Sequence, residues 1–205
     1  MSETKDTYNT IAKASDAALF KDKNSKFFGY AYPIVTKEEV KIHIEALKKQ
    51  HHSARHWCYA YQLGTERITY RANDDGEPSN SAGQPIYGQI QSFNLTNVLV
   101  IVVRYFGGIK LGVSGLINAY RTGAQMALEQ SEIIEKTITI DYHIRFDYKN
   151  MNKVMRIIKE KQIKIVNQTL ALDCQIHISV RKKDAEAIFG IFNQLYEIDI
   201  KKEND

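Results

Sequence analysis

Residues 104–115 read RYFGGIKLGVSG and stand between an apolar run and an amphipathic segment. The preceding run, NVLVIVV at 97–103, has no polar face, which predicts a central strand covered on both sides. The residues that follow have helical spacing to about Glu129. Two interpretations fit this strand, turn and helix. Either the glycines pack the helix closely onto a sheet, or the helix N-terminus holds an anion.

The glycine turn lacks the two standard nucleotide signatures. It has neither the GK[ST] ending of a P-loop nor the GxGxxG of a dinucleotide-binding fold. Its glycines still permit sharp bends and close backbone approach, and its basic residues add positive charge. The candidate anion, nucleic-acid or partner-binding residues of this region are Arg104, Tyr105, Gly107, Gly108, Lys110, Gly112, Ser114 and Arg121.

A second candidate region is the polar loop DDGEPSNSAGQP, residues 74–85. Its three carboxylates have the chemistry to bind Mg²⁺ or to share a proton. The alternative is an acidic turn that is solvated or paired with Arg104, Lys110 or Arg121. We expect Ser81 to cap a helix that Pro85 opens. The candidate site residues of this loop are Asp74, Asp75, Glu77, Ser81 and Gly83.

Histidines cluster in QHHSARHWC, residues 50–58. His52 and His56 are four residues apart, and Cys58 could join them at a zinc ion if the segment were helical. The segment instead passes from a helix end into a strand, so we expect no metal site and a solvated helix terminus at His51 and His52. Strand aromatics further along could stack on bases or pack in the core, and these are Tyr59, Tyr61, Tyr70 and Tyr105.

The composition is that of an ordinary globular protein with a mild basic balance. Of 205 residues, 43% are apolar and 25% are charged, and the net charge of +4 permits nucleic-acid binding without requiring it. The two cysteines are far apart with no CxxC spacing, which argues against a disulfide framework or a four-cysteine zinc site. The N-terminus has no apolar signal core, and no run approaches the ~20 residues of a membrane span. We therefore expect a soluble, reduced, cytoplasmic protein without membrane contact.

The pattern of apolar residues changes along the chain and predicts an α+β protein of two domains. The first part begins with a hairpin that has Asn24 and Ser25 near its turn, followed by a helix with a capping box of Thr36 and Glu39. From about residue 136 the order is strand, helix, strand, strand, helix, strand, the ferredoxin-like βαββαβ pattern. The predicted domains are residues 1–135 and 136–205.

The two long motifs at their mutual spacing resemble the bacterial YigZ/IMPACT family. They are DDGEPSNSAGQPI and VVRYFGGIKLGVSGLINAYRTG, and upstream SKFFGYAYP and ARHWCYAY are similar as well. The resemblance implies an N-terminal fold like the second domain of a small-subunit ribosomal protein and domain IV of elongation factor G. It implies a C-terminal fold like domain V of that factor. It also implies a link to translation regulation, which the eukaryotic members exert by protein–protein competition in the amino-acid-starvation kinase pathway.

The chain departs from the family pattern at several positions of these motifs. Family members often have Gly-Thr in place of Asn80-Ser81, and Gly in place of Ser114. Lys or Arg is frequent in place of Gln84 and Asn118, so two potential phosphate contacts are absent here. Trp57 replaces a frequent His, which further weakens the case for a metal.

Three functions are compatible with these features. The leading hypothesis is a non-enzymatic, translation-associated regulator that binds RNA or the ribosome. The second is a regulator that acts through a partner protein. The third is an enzyme acting on a phosphorylated small molecule, with Mg²⁺ on the acidic loop and charge stabilised by Arg104 or Lys110. We expect no catalytic residues, cofactor or resident metal, and the oligomeric state stays open.

Overall fold

A computed structural model describes residues 6–203 and divides them into two compact units. The N-terminal unit is Tyr8–Lys136, and the C-terminal unit consists of residues 137–203 together with Asp6 and Thr7. The two-domain α+β organisation predicted from the sequence is confirmed. Residues 1–5, which belong to the N-terminal stretch expected to lack a signal core, lie outside the described residues, as do 204 and 205.

The N-terminal unit is built on a five-stranded antiparallel sheet in the order β2-β3-β6-β4-β5. A separate two-stranded sheet pairs β1 with β7. The strands are β1 (Thr7–Ile11), β2 (Ala18–Asp22), β3 (Ser25–Pro33), β4 (His56–Leu63), β5 (Thr69–Asn73), β6 (Val98–Tyr105) and β7 (Ile133–Thr137). The helices are α1 (Lys37–Gln50), α2 (Gly83–Ser92) and α3 (Gly112–Glu129).

Strand β6 is the centre of this sheet and is buried on both faces, as its apolar run predicts. Alternate residues from Val98 to Val102 pack into the core formed with α2 and α3. The residues between them, from Leu99 to Val103, pack into a second core under α1. Helices therefore cover both faces of the sheet, which is why the strand has no polar side.

Two local predictions are confirmed at the start of the unit. The β2–β3 hairpin turns at Lys23 and Asn24, whose φ angles of 42° and 65° are those of a type I′ turn. Helix α1 has the predicted capping box, because Thr36 Oγ1 accepts from Glu39 N at 3.4 Å and Glu39 Oε2 accepts from Thr36 N at 2.8 Å.

The C-terminal unit has the predicted ferredoxin-like topology, an antiparallel sheet in the order β11-β8-β10-β9. Helices α4 and α5 pack on one face and build a core with residues such as Ile144, Ile176 and Phe192. The other face carries alternating polar side chains, including His143 and His177. The elements are β8 (Thr139–Asp147), α4 (Met151–Glu160), β9 (Lys164–Thr169), β10 (Asp173–Arg181), α5 (Lys182–Asn193) and β11 (Ile198–Lys202), with a 3₁₀ turn at Tyr148–Asn150.

The cysteines agree with the sequence-based expectation. Cys58 lies in the N-terminal unit and Cys174 in the C-terminal unit, and both are buried free thiols. Among the helices described between residues 6 and 203, none combines the length and the apolar character needed to span a bilayer.

Gly29 provides a test of the close contact between β3 and α3. A Cβ at this position would overlap the carbonyl oxygen of Gly123, a backbone atom that cannot move aside. Gly29→Ala should therefore lower the free energy of unfolding by about 1–3 kcal/mol, measured by urea denaturation. Gly88→Ala in α2 is the matched control, since its Cβ meets no atom within 4 Å. The control should raise stability by up to about 1 kcal/mol through helix propensity. Equal effects of the two changes would contradict the close approach.

Candidate functional site

Glu77 is the centre of a buried polar cluster beneath the acidic loop. Its side chain is only 4% exposed, and its Oε1 accepts hydrogen bonds from Arg104 Nη1 at 2.6 Å and Tyr120 OH at 2.7 Å. His56 Nε2 lies 3.9 Å from the same oxygen. Glu77 thus connects the loop to β4, β6 and α3. The alternative in which a loop carboxylate pairs with Arg104 is correct for Glu77.

Arg104 is held inside the unit and does not face solvent. Its guanidinium lies 5.5 Å from the ring centroids of both Phe27 and Phe106. Such cation–π contacts add to the ion pair with Glu77. Its Nε has no hydrogen-bond partner among the described residues. Because Arg104 is almost fully buried, it is a structural cation rather than a surface contact for phosphate.

Asp74 organises the acidic loop and the start of α2. Its Oδ1 accepts from the backbone N–H groups of Ala82 at 3.0 Å and Gly83 at 2.8 Å, and its Oδ2 accepts from Asn80 N at 2.9 Å. A carboxylate in this position satisfies two of the free N–H groups of the helix and suits its dipole. Asp74 therefore performs the capping role.

The prediction that Ser81 caps this helix is wrong. Ser81 is fully buried, and its Oγ donates to the carbonyl oxygen of Pro78 at 2.6 Å instead. The helix begins at Gly83, so Pro85 is its third residue rather than its first. Gly83 is a packing residue, because a Cβ there would approach the backbone nitrogen of Asn73 at 2.5 Å.

Asp75 ties the loop to β4 through backbone contacts. Its Oδ2 accepts from Trp57 N at 2.6 Å, and its carbonyl oxygen lies 2.8 Å from His56 Nδ1. All three loop carboxylates thus accept hydrogen bonds from the protein itself. Across residues 6–203 they do not form a group with metal-ligand spacing. This arrangement does not support the hypothesis of a Mg²⁺ site or a proton-sharing pair in the loop.

The expectation of a solvated terminus is wrong for His51. The ring is buried, with Nε2 2.6 Å from Tyr30 OH and Nδ1 3.0 Å from Tyr105 OH. Burial lowers the pKa of His51 below its usual value. His52, in contrast, is exposed as expected. Since Tyr105 is a partner of His51, the hydroxyl of this candidate residue is used inside the protein.

Cys58 and His56 do not converge on a metal with His52. The Cys58 thiol is fully buried and donates to the carbonyl oxygen of Asp74 at 3.0 Å. Burial raises the pKa of this thiol, which keeps it protonated and a poor ligand. Among the strand aromatics, Tyr59 and Tyr61 pack in the core under α1, while exposed Tyr70 stacks on Tyr87 with ring centroids 4.3 Å apart.

The glycines of the turn have two different roles. Gly107 packs against the β2–β3 hairpin, because a Cβ would overlap the backbone of Asn24, and its N–H donates to Ser25 Oγ at 3.1 Å. Gly108 and Gly112 have φ angles of 85° and 74°, which favour glycine, although open space surrounds both. The packing interpretation of the turn is thus supported at Gly107, while the outer part of the turn faces solvent.

The outer part of the turn combines apolar side chains with cations. Phe106, Ile109 and Val113 are 46%, 49% and 54% exposed. Leu111 at the N-cap of α3 has no side chain that could cap the helix, and within residues 6–203 no other side chain is hydrogen-bonded to the N–H groups of Gly112, Val113 or Ser114. Exposed cations stand on the turn and on the hairpin and loop beside it. We call the following set the turn surface: Lys23, Lys26, Arg55, Phe106, Ile109, Lys110 and Val113.

Arg121 is separate from the turn surface. It is the tenth residue of α3 and exposed, which places it roughly 14 Å along the helix from Gly112 at 1.5 Å per residue. Arg121 and Lys110 share a sequence motif but not a position on the surface. Lys23, Lys26 and Arg55 belong to neither of the two long motifs, and strand pairing brings them to the end of the sheet where the turn lies.

The comparison with known proteins identifies the family. The family model described as the Impact N-terminal domain matches residues 23–128, more than half of the chain. The chain belongs to the IMPACT family. The IMPACT family member YvyE of Bacillus subtilis is 32% identical over 181 residues, covering 88% of this chain and 83% of YvyE. YigZ of Escherichia coli, another IMPACT family member, is 33% identical over 132 residues, covering 63% of this chain and 65% of YigZ.

A solved structure has the same fold over the whole chain. The crystal structure of a hypothetical protein superposes with a TM-score of 0.73 at 22% identity, covering 98% of this chain and 100% of the other. The backbone conformation of Asn80 accounts for one departure from the family pattern described above. Asn80 has a φ of 61°, a left-handed conformation that the more frequent glycine adopts freely and asparagine tolerates.

Removing the negative charge of Glu77 tests how much the buried Glu77–Arg104 ion pair stabilises the protein. Glu77→Gln should lower the free energy of unfolding by about 3–5 kcal/mol, since it leaves the Arg104 guanidinium buried without a counter-ion. Urea denaturation measures the effect, and exposed Glu45→Gln is the matched control, expected within about 0.5 kcal/mol of wild type. The double variant Glu77→Leu/Arg104→Met should recover part of the loss. A Glu77→Gln effect no larger than that of the control would contradict the structural role.

The burial of His51 predicts that the free energy of unfolding depends on pH. Because burial lowers its folded pKa, the unfolded chain binds a proton at a higher pH than the folded chain does. Stability is therefore full above the unfolded value of about 6.5 and falls as the pH drops from there towards the folded value. His51→Gln should show a smaller loss of stability than wild type between about pH 7.5 and pH 5. Parallel pH profiles of the two proteins in urea denaturation would rule out this role for His51.

Proposed function

We propose that this IMPACT-family protein is a non-enzymatic, translation-associated regulator that binds RNA or the ribosome through the turn surface. The observation that carries the proposal is the exposed Phe106 among cations at one end of the five-stranded sheet. The link to translation rests on the resemblance of the sequence motifs to the family. The binding chemistry rests on the turn surface itself.

The charges of the turn surface suit a phosphate backbone. Lys23, Lys26, Arg55 and Lys110 are exposed, and within residues 6–203 none of them has a carboxylate oxygen within 4.0 Å. Unpaired cations release counterions from nucleic acid on binding, which supplies affinity without sequence preference. The N-terminus of α3, which directly follows the turn, adds backbone N–H donors and the positive end of the helix dipole.

Phe106 adds a second element of single-strand binding. The Arg104 guanidinium packs against its ring, 5.5 Å from the ring centroid, and Phe106 is nearly half exposed. An aromatic face beside cations is a platform on which a base can stack. The buried Glu77 pair therefore contributes indirectly, because it fixes Arg104 beneath this ring.

The reactive groups of the acidic loop and of β4 argue against catalysis. The carboxylates of Asp74, Asp75 and Glu77 are engaged by protein donors. The Cys58 thiol is buried, and burial raises its pKa, so it is not an available nucleophile. A binding function needs none of these groups to be free.

A second candidate function is recognition of a partner protein on the same surface. Phe106, Ile109 and Val113 are exposed apolar side chains within eight residues of sequence. Contiguous apolar exposure is typical of protein-binding sites. This alternative predicts binding that survives nuclease treatment and high salt.

The RNA proposal predicts a specific dependence on salt. Binding of a fluorescent single-stranded RNA longer than about 16 nucleotides, measured by anisotropy, should weaken steeply as salt is added. Lys26→Ala/Lys110→Ala should reduce the slope of log K against log salt by about 0.7 for each lost phosphate contact. Phe106→Ala should weaken binding by about 1–3 kcal/mol at every salt concentration.

Lys41→Ala, an exposed lysine of α1, is the matched control for charge. Arg121→Ala tests separately whether the binding face extends along α3. A slope that is the same in the double variant and the control would overturn RNA contact through the turn surface. Co-sedimentation with ribosomes, repeated with these variants, extends the test to the assembled particle. A complex from lysate that persists after nuclease treatment and is lost in Phe106→Ala would favour a protein partner.

A further inference from the structure

Two histidines and two carboxylates meet on the open face of the C-terminal sheet. His143 of β8 and His177 of β10 are direct cross-strand partners, and their rings stack with centroids 4.6 Å apart. Asp141 lies two residues before His143 on the same face of β8. Glu203 follows β11, and its N–H donates to the carbonyl oxygen of Asp141 at 2.9 Å, which brings its side chain over the pair.

The nitrogen–oxygen distances in this cluster are longer than those of typical hydrogen bonds and close to the ligand–ligand distances around a tetrahedral zinc ion. Glu203 Oε1 lies 3.5 Å from His143 Nε2, and Glu203 Oε2 lies 3.3 Å from His177 Nε2. Asp141 Oδ2 lies 3.5 Å from His177 Nε2. Hydrogen bonds between such groups are shorter, about 2.7–3.2 Å. Ligand atoms about 2.0–2.1 Å from a tetrahedral zinc ion are roughly 3.3 Å apart along each edge.

The cluster also leaves buried polar atoms without partners. His177 Nε2 and Asp141 Oδ1 are both inaccessible, and neither has a hydrogen bond among residues 6–203. His177 Nε2 is close to two carboxylate oxygens, yet neither is aligned to accept from it. Buried polar atoms normally have a partner, and a bound ion is one of the explanations for an exception.

We infer that His143, His177 and Glu203 form a binding site for a divalent transition-metal ion of the Zn²⁺ class, with the Asp141 carboxylate beside His177. The three side chains place one ligand atom each within 4.8 Å of the others, the only such group of three among the residues described. Two imidazoles favour Zn²⁺ over Mg²⁺ or Ca²⁺, which prefer oxygen ligands alone. Two carboxylates supply the negative charge that balances a divalent ion.

The surroundings of the site agree with this assignment. Lys201 is the cross-strand neighbour of His143 on β11, but its ammonium is 3.1 Å from Asp199 Oδ2 and is neutralised there. His143 and Glu203 are about half exposed, so an ion can enter from solvent and keep a water ligand. Since Glu203 lies beyond β11, the ion would fasten the end of the last strand to β8 and β10. The site is independent of the turn surface and of the proposed function.

Isothermal titration of the untagged full chain with Zn²⁺ at neutral pH tests the site. We expect one bound ion per chain, and we expect Mg²⁺ in large excess to leave binding unchanged. His143→Gln and His177→Gln should each weaken Zn²⁺ binding by more than about 100-fold, because losing a direct ligand costs more than the 10–100-fold loss of an outer partner. His52→Gln, an exposed histidine of the N-terminal unit, is the matched control and should bind as wild type does.

Co²⁺ provides a readout of ligand geometry. The wild-type protein should give the intense visible absorption of a tetrahedral Co²⁺ centre, and Glu203→Gln should weaken it. Circular dichroism should show that the variants are folded, since all of these side chains lie on the open face rather than in the core. Absence of Zn²⁺ binding by wild type, or equal binding by His177→Gln and His52→Gln, would overturn the proposal. So would displacement of Zn²⁺ by Mg²⁺.

Discussion

The Glu77–Arg104 ion pair is the interaction on which the N-terminal unit depends. Both side chains are almost completely buried, and a charge in such a place is tolerated only with a partner at hydrogen-bond distance. The pair joins the acidic loop to the end of the central strand β6. The Tyr120 hydroxyl of α3 donates to the same Glu77 Oε1. Loop, sheet and helix are consequently held in one arrangement, and the Arg104 guanidinium also lies 5.5 Å from the ring centroid of Phe106.

This constraint explains why the two family motifs occur together. Glu77 of the first motif neutralises Arg104 and accepts from Tyr120 of the second, whereas Asp74 caps α2 within its own motif and Gly107 packs against the β2–β3 hairpin. Their polar residues look catalytic in a linear sequence because acids, bases and glycines are also the components of active sites. In the folded unit backbone N–H groups donate to Asp74 and Asp75, and the Arg104 and Tyr120 side chains donate to Glu77. The turn surface, with its cations and apolar side chains, stays exposed.

The C-terminal unit divides its two sheet faces differently. Its helices cover one face with an apolar core, and the other face is open and polar. On a face without a covering layer, side chains of neighbouring strands contact one another directly. The pairing of β8 with β10 therefore brings His143 onto His177, and the chain beyond β11 adds Glu203. The two units thus present different chemistry, a cationic and apolar surface in one and a histidine–carboxylate cluster in the other.

The sequence by itself determined the features that depend on neighbouring residues. The buried central strand, the β2–β3 turn, the capping box of α1 and the βαββαβ order were all predicted, because periodicity and local hydrogen bonds act over a few positions. Only the tertiary structure decided that Asp74 caps α2, that His51 is buried between two tyrosines, and that Lys26 and His177 join their respective clusters. These depend on strand register and on contacts between residues far apart in the chain. No local sequence pattern specifies these contacts, because in the unfolded chain the same polar side chains form their hydrogen bonds with water. Their partners in the protein are set only when folding excludes that water.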